Sequence, residues 1–209
     1  MATDLTTDTR QRILDAAGPV FAHRGFKDAT VREICQAARV NVAAVNYYFG
    51  DKERLYIEAV KRAHRNRMDQ APLPEWSSSA TPEQKLYDFV RTLLIRILHD
   101  PAQSWHTELM LRELLEPTAA CAELARDYIR PQFDTLLAIL ATILPAEVSR
   151  EDRHLAAFSI VGQCLYHRVA QPIVEALIAP DEYRSYSIDR LAQHITSWSL
   201  AALGGGGVR

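Results

Sequence analysis

The chain has few of the features that mark secreted, membrane-spanning or disulfide-linked proteins. Its three cysteines, Cys35, Cys121 and Cys164, are odd in number and widely spaced, which argues against a disulfide framework and favours structural thiols. No apolar run approaches the roughly 18 residues that a membrane-spanning helix needs, and the first residues lack the apolar core of a secretory signal. We therefore expect a cytoplasmic protein.

Motifs for catalysis and for metal binding are also missing. The seven histidines form no H-x3-H pair and no cluster with cysteine, which are the spacings that zinc sites use. The sequence contains no nucleophile–base motif and no glycine-rich phosphate loop. We therefore expect no metal, no cofactor and no catalytic residue.

The charge of the chain is small in total but unevenly distributed. The net charge is −2, yet residues 1–67 carry a balance of +4 and residues 68–209 a balance of −6. A basic amino-terminal part joined to an acidic remainder fits DNA binding confined to one end. A hydrophobic content of 48% with 24% charged residues is typical of a globular protein.

Residues 30–55 contain two short helical patterns joined by a tight turn and followed by a third. The first pattern forms one apolar stripe, at Val31, Ile34, Cys35 and Ala38. In the second, Val45 and Phe49 are four residues apart, and the opposite face carries small, amide and phenolic side chains. Such a face suits a DNA major groove, where helix-turn-helix proteins contact base edges.

The ends of these helices carry suitable capping residues. Thr30 and Glu33 have the spacing of a capping box, and Asn41 can cap the second helix. Gly50 can adopt the left-handed conformation that ends that helix. Lys52 then lies at the next helix N-terminus, where backbone N–H groups and the helix dipole favour a phosphate.

Four segments match, in order, the DNA-binding domain of a known family. They are Ile13–Ala17, Phe21–Phe26, Thr30–Ile34 and Val45–Leu55. Together they resemble the TetR/AcrR-family transcriptional regulators, and residues 112–117 (RELLEP) are similar to the second domain of the CecR-like subgroup. Arg39 and Ala43 stand where this family often has glycine, and Asn46 stands where tyrosine is most common. Because Ala43 and Asn46 lie on the reading surface, the family's operator preference does not carry over to this chain.

Seven side chains on these helices are candidates for DNA contact. The candidates for base contact are Ala43, Ala44, Asn46 and Tyr47, and those for phosphate contact are Thr30, Tyr48 and Lys52. The Asn46 amide can pair with adenine, or it can contact only backbone and water. The two alanines can contact a thymine methyl or merely allow the helix to approach the DNA closely. Tyr48 can lie partly in the core and partly against a phosphate.

The rest of the chain has the pattern of helices only. We expect a Pro- and Ser-rich loop at 71–82 and helices at 82–99, 104–116, 118–144, 150–178 and 184–203. The predicted fold is all-α. It has a three-helix helix-turn-helix DNA-binding domain at 1–52, a larger helical ligand-binding and dimerisation domain at 53–203, and a flexible Gly-rich tail at 204–209.

Two of these helices have apolar faces suited to a partner subunit. In 150–178 the apolar residues nearly encircle the helix, so both of its sides need to be covered. The family resemblance implies a homodimer in which the last two long helices form a four-helix bundle. The interface candidates are Phe158, Gly162, Leu165, Ile188, Leu191, Ile195 and Trp198. Two recognition helices would then meet half-sites about 34–36 Å apart.

Polar or polarisable side chains within apolar helices are candidates for a ligand pocket. These candidates are Trp105, His106, Met110, Gln163 and His167. For each of them taken singly, a core residue or a hydrogen-bonding residue of the dimer interface is the favoured alternative. Glu108, Arg112 and Glu116, at i, i+4 and i+8, predict a surface ion-pair ladder.

These features predict a DNA-binding regulator, and the resemblance implies that it is a ligand-released repressor. It would bind a palindromic operator as a homodimer and respond to an unknown small-molecule effector, with no membrane partner. One alternative is a helical small-molecule-binding protein or enzyme with an incidental helix-turn-helix, since Glu and His on separate helices can meet in space. Turnover of a bound small molecule would favour this alternative, and salt-sensitive binding to a palindromic duplex would oppose it. Another is a non-specific architectural DNA binder, which would bind operator and random DNA with equal affinity.

Overall fold

The computed structural model describes residues 2–98 and 105–204, with side chains from residue 8 onward. Within these residues the chain is helical and contains no strand. The helices are α1 (Ala2–Asp28), α2 (Val31–Ala38), α3 (Val42–Phe49), α4 (Lys52–Gln70), α5 (Pro82–Leu98), α6 (Trp105–Leu115), α7 (Ala119–Leu124), a π-helical segment (Ala125–Ile129), α8 (Arg130–Ile143), α9 (Arg150–Val169), α10 (Gln171–Leu177), α11 (Pro180–Arg184) and α12 (Ile188–Gly204). The predicted all-α class is confirmed.

Two of the predicted helices are interrupted in the structure. The segment predicted as one helix over 118–144 consists of α7, the π-helical segment and α8. The segment predicted over 150–178 divides at Ala170, two residues before Pro172. Proline has no N–H to donate, so a continuous helix would lack a hydrogen bond at this point. Most of the predicted flexible tail, residues 205–209, lies outside the described residues, and Gly204 is the last residue of α12.

The contacts of the chain group it into two compact units. The first unit combines Met1–Asp69 with Asp100–Ile129, and the second combines Gln70–His99 with Arg130–Arg209. The helix-turn-helix therefore shares a unit with α4, α6, α7 and the π-helical segment. This grouping differs from the boundary at residue 52 that the sequence suggested, because side-chain packing joins segments that are far apart in the chain.

The first unit has a core built by α1 to α4 together with α6 and α7. Its fully buried side chains include Ile13, Phe21, Ile34, Val45, Leu55 and Leu109. Gly18 of α1 is buried because the Trp105 ring lies against it: a Cβ at this position would come 2.3 Å from two ring carbons. A glycine here lets α6 pack closely on α1.

The second unit is a bundle of α5, α8, α9 and α12. Its core contains Leu86, Leu94, Leu136, Leu140, Ile160, Cys164, Leu191 and Ile195. Burial raises the pKa of the Cys164 thiol to about 12, so this thiol remains protonated and packs as a small apolar group. Among the described helices, none is long and apolar enough to cross a membrane.

Candidate DNA-binding site

The two helices of the helix-turn-helix begin with the predicted side-chain caps. The Thr30 hydroxyl accepts a hydrogen bond from the Glu33 N–H at 3.2 Å, and the Glu33 carboxylate accepts from the Thr30 N–H at 3.0 Å. This is a complete capping box, and its hydrogen bonds from Thr30 lower the pKa of Glu33. The Asn41 side chain accepts from the Ala44 N–H at 2.9 Å and starts α3. The sequence therefore placed both helix starts correctly.

The turn between α2 and α3 is made by a residue in the left-handed conformation. Arg39 has φ 56° and ψ 48°, and it is the one described residue other than glycine with a positive φ. Its N–H donates to the Gln36 carbonyl at 3.2 Å, and its own carbonyl accepts from the Arg12 guanidinium at 3.1 Å. Because a side chain disfavours this conformation, an arginine at this position strains the turn.

We expect Arg39→Gly to raise the free energy of unfolding by about 0.5–1 kcal/mol. Relief of the left-handed strain contributes about 1–2 kcal/mol, and the larger entropy loss of glycine on folding removes about 0.5–1 kcal/mol of it. Urea unfolding measures the difference. Arg39→Ala is the control, since it removes the same side chain but keeps the strained φ. A stabilisation by both variants would show that the side chain, and not the backbone, is unfavourable.

Helix α3 has one buried face and one exposed face. Val45 and Phe49 are buried in the core of the unit, and the Arg10 guanidinium lies over the Phe49 ring at 5.1 Å. On the other face Ala43 and Asn46 are exposed, and 78% of Tyr47 is accessible. Ala44 is half-buried. The exposed face therefore presents the methyl, amide and phenol groups that the sequence analysis proposed for base contact.

The three candidates for phosphate contact lie around the ends of these helices. Thr30 is exposed at the start of α2, and Tyr48 is half-buried with its ring edge-on to that of Tyr47 at 4.9 Å. Gly50 ends α3 with φ 84°, and its N–H donates to the Asn46 carbonyl. Lys52, at the start of α4, donates from Nζ to the Lys27 carbonyl at 3.1 Å and lies 4.8 Å from the centre of the Phe26 ring.

The corner between α1 and α2 is held by a side chain from α6. Gly25 leaves the helical conformation with φ 78° and ψ 172°. The Arg112 guanidinium donates to the Ala22 carbonyl at 2.7 Å and to the His23 carbonyl at 3.1 Å. These are carbonyls of the last regular turn of α1, and a cationic donor suits a helix C-terminus. The ion-pair ladder predicted for Arg112 was wrong, because spacing along one helix does not show which neighbouring helix lies beside it.

A buried carboxylate connects α4 with α6 and α7. Glu113 is 2% exposed and accepts hydrogen bonds from the Tyr56 hydroxyl at 2.8 Å and from the Thr118 N–H at 2.8 Å. The Thr118 hydroxyl, which caps α7, also lies 3.0 Å from both Glu113 oxygens. Burial and the hydrogen bond to Glu113 raise the pKa of Tyr56. Sequence reasoning missed this group, although Glu113 follows the buried Leu109 by four residues and so lies on the core-facing stripe.

Charged side chains also join α4 to α7 and to the π-helical segment that follows it. Lys61 forms ion pairs with Glu123 and, at 3.7 Å, with Asp127. The hydrogen bond to Glu123 raises the pKa of Lys61. Arg65 donates to the Tyr128 hydroxyl at 2.9 Å. The π-helical segment, which carries Asp127 and Tyr128, is therefore attached to α4, the helix that follows α3.

The proposed ligand-pocket residues fall into different units. Trp105 and Met110 pack against the core of the first unit, and the His106 ring stacks on Trp105 at 3.7 Å and lies within hydrogen-bonding distance of Asn66. Gln163 and His167 are half-buried on α9 in the second unit, and burial lowers the pKa of His167. Two surface hollows, of about 250 and 440 Å³, are lined by other residues. The pocket assignment therefore stays a prediction.

The proposed dimer-interface residues differ in exposure. Phe158, Gly162 and Trp198 are exposed, and Leu165 and Ile188 are half-buried. Leu191 and Ile195 lie in the core of the second unit, so their side chains are already used within one subunit. Further exposed apolar residues extend the surface along α9 and α10: Leu155, Tyr166, Val169, Ile173 and Leu177.

Comparison with known proteins agrees with this arrangement. Residues 13–59 match the family of bacterial regulatory proteins named tetR, and residues 82–203 match the C-terminal domain of the HTH-type transcriptional dual regulator CecR. The chain is 23% identical to CecR of Shigella flexneri over 175 residues, which cover 79% of the chain and 78% of CecR. It is 35% identical to the transcriptional repressor NicS of Pseudomonas putida over 82 residues, which cover 39% of the chain and 38% of NicS.

A solved structure shows the same fold. AibR, crystallised with isovaleryl coenzyme A and operator DNA, superposes with a TM-score of 0.62 at 19% identity, over 93% of this chain and 97% of AibR. The helix-turn-helix match and the CecR match together span most of the chain. The chain therefore belongs to the TetR family of bacterial transcriptional regulators and is related to CecR.

Proposed function

We propose that the protein is a ligand-released repressor that binds a palindromic operator as a homodimer. The observation that carries this proposal is the two-sided recognition helix. Val45 and Phe49 anchor α3 in the core, while Asn46 and Tyr47 extend from its exposed side. A polar amide and a phenol held rigidly on one helix face are suited to contact base edges in a major groove. We propose no catalytic step.

The apolar surface of the second unit supports the dimer. On α9, Leu155, Phe158, Gly162, Tyr166 and Val169 follow one another at intervals of three or four residues and are all exposed. On the opposite side of this helix, Ala157, Ile160 and Cys164 are buried in the core. A helix that is apolar on both sides packs on its own unit with one side and needs a second partner for the other. A second copy of the chain would cover this stripe and place two α3 helices on two half-sites.

Release by an effector is proposed from the family. AibR was crystallised with isovaleryl coenzyme A and operator DNA. A ligand releases a repressor from its operator when the ligand prefers the conformation that does not fit the operator. We place the effector site in the ligand-binding and dimerisation domain proposed for residues 53–203. Domain boundaries at 1–52 and 53–203 remain part of this proposal.

The experiment is a fluorescence-anisotropy titration of a duplex from the gene's own upstream region. We expect Asn46→Ala/Tyr47→Ala to weaken binding by at least about 30-fold, since each lost base contact costs about 1 kcal/mol or more. The wild-type protein should prefer this duplex to a scrambled one by about a thousandfold or more. Two salt concentrations separate phosphate contacts from base readout.

The matched control is Arg32→Ala, an exposed residue on α2 rather than on α3. It is expected to change affinity similarly on both duplexes, because a charge near the DNA acts without sequence preference. If the upstream region holds no operator, fragments selected from the whole genome replace it. Equal affinity for selected and scrambled fragments would contradict the proposed function.

A further inference from the structure

We propose that Glu113 is a positioning residue for operator binding, which acts through Tyr56 to hold the phosphate-contacting end of α4. The inference rests on the proposed operator binding by α3 and Lys52. It adds α6 and α7 to the three amino-terminal helices as elements that position the DNA-contacting residues. The starting observation is a carboxylate in the core of the first unit that, within the described residues, has no cation within ion-pair distance.

The hydrogen bonds of Glu113 leave it little freedom. One carboxylate oxygen accepts from the Tyr56 hydroxyl, and the other accepts from the Thr118 N–H, both at 2.8 Å. A buried carboxylate is costly unless donors surround it, and here neutral donors from α4 and from the cap of α7 supply them. Moving either helix would break a bond to a desolvated charge. The arrangement therefore fixes the position of α4 relative to α6.

Tyr56 connects Glu113 to the corner between α1 and α2. Its ring meets the Phe21 ring edge-on at 4.9 Å and the Phe26 ring at 5.1 Å. The Phe26 ring also contacts Lys52, whose ammonium lies over the ring at 4.8 Å. Tyr56 and Lys52 are four residues apart on α4 and so lie on the same face. A shift of Tyr56 would therefore displace the ammonium group that we expect on a phosphate.

Arg112, the neighbour of Glu113, holds the other side of the same corner. Its guanidinium contacts the carbonyls of Ala22 and His23 at the end of α1. Two consecutive residues of α6 thus hold α1 and α4, the two helices that flank α2 and α3 in the chain. Placement of the reading helix depends on both flanking helices, which is why we assign Glu113 a role in binding beyond its contribution to stability.

The test measures operator affinity at several salt concentrations for Glu113→Ala, with Glu108→Ala as the matched control. Glu108 is an exposed glutamate on the same helix, so its variant removes the same charge. For Glu113→Ala we expect about tenfold weaker binding. We also expect a smaller salt slope, which is the slope of the logarithm of the binding constant against the logarithm of the salt concentration. A decrease of about one per half-site is the signature of one lost phosphate contact. Glu108→Ala should leave the affinity and the slope near the wild-type values.

Further variants separate positioning from structural stabilisation. Glu113→Gln should restore much of the affinity, because its amide oxygen can still accept one of these bonds. Lys52→Ala should reduce the salt slope by itself, and adding Glu113→Ala to it should reduce the slope no further if Glu113 acts through Lys52. If Glu113→Ala does not fold, Tyr56→Phe, which removes only the hydroxyl donor, takes its place with the same expected change in slope.

The outcomes of the test are distinct. Lower stability with unchanged operator affinity and unchanged salt slope would overturn the inference and leave Glu113 a structural residue. Independent, additive effects of Glu113→Ala and Lys52→Ala would also overturn it. Failure of the wild-type protein to distinguish operator from scrambled DNA would instead refute the proposed function, and that result is obtained before any Glu113 variant is measured.

Discussion

Replacing Phe158 and Trp198 together with aspartate is expected to convert the proposed dimer into monomers and to weaken operator binding by roughly 10²- to 10⁴-fold. This range is the gain obtained when two binding events are linked into one. Phe158 is 58% exposed on α9 and Trp198 is 66% exposed on α12. Because both side chains lie at the surface of one subunit, aspartate at these positions should leave its core undisturbed. Light scattering after size-exclusion chromatography measures the mass, and anisotropy measures the affinity.

The control for this prediction is Leu115→Asp. Leu115 is 61% exposed but lies on α6 in the first unit, whereas the proposed dimer surface belongs to the second unit. It adds the same kind of charge to an equally exposed apolar position and should leave the mass unchanged. If the Phe158→Asp/Trp198→Asp protein remained dimeric, the surface that carries Phe158 and Trp198 would not be the interface.

Gly25→Ala is expected to lower the free energy of unfolding by about 2 to 4 kcal/mol. Its backbone, at φ 78° and ψ 172°, occupies a region that is almost restricted to glycine and costs another residue about 1–3 kcal/mol. In addition, a Cβ would lie 3.2 Å from an Arg112 nitrogen. Displacing that guanidinium puts at risk its bonds to the end of α1, each worth about 1.5–3 kcal/mol when the donor is charged. Urea unfolding monitored by circular dichroism measures the change.

Gly50→Ala separates the two contributions to this effect. Gly50 also has a positive φ, of 84°, but no atom lies within 4 Å of the position that its Cβ would take. It therefore reports backbone strain without a steric contact, and we expect a smaller loss than at Gly25. Equal losses for the two variants would mean that Arg112 moves aside freely and that its bonds to α1 contribute little.

Local chemistry explains why the helix-turn-helix could be located from sequence. The capping box of Thr30 and Glu33 and the cap at Asn41 depend on residues within three positions of one another, and the structure contains both. The buried side of α3 follows from the interval between Val45 and Phe49, because positions four apart share a helix face. The exposure of Asn46 and Tyr47 then follows from the same geometry.

Contacts between distant segments could not be located in this way. Arg112 looked like part of a ladder on one helix, but it binds carbonyls about 90 residues earlier in the chain. Leu191 and Ile195 looked like partner-facing residues, but they lie in the core of their own unit, whereas Trp198 on the same helix is exposed. A hydrophobic stripe shows that a face is covered, and it does not show whether the cover is the same chain or another.

The sequence by itself determined the helical class, the ends of α2 and α3, which faces of α3 are buried and exposed, and the family. All of these depend on intervals of a few residues or on motifs in a set order. Only the tertiary structure decided that α6 and α7 join the helix-turn-helix in one unit, that Glu113 is buried against Tyr56, and which apolar residues stay exposed. Those features depend on which helices meet across long stretches of chain, and periodicity within a single helix does not contain that information.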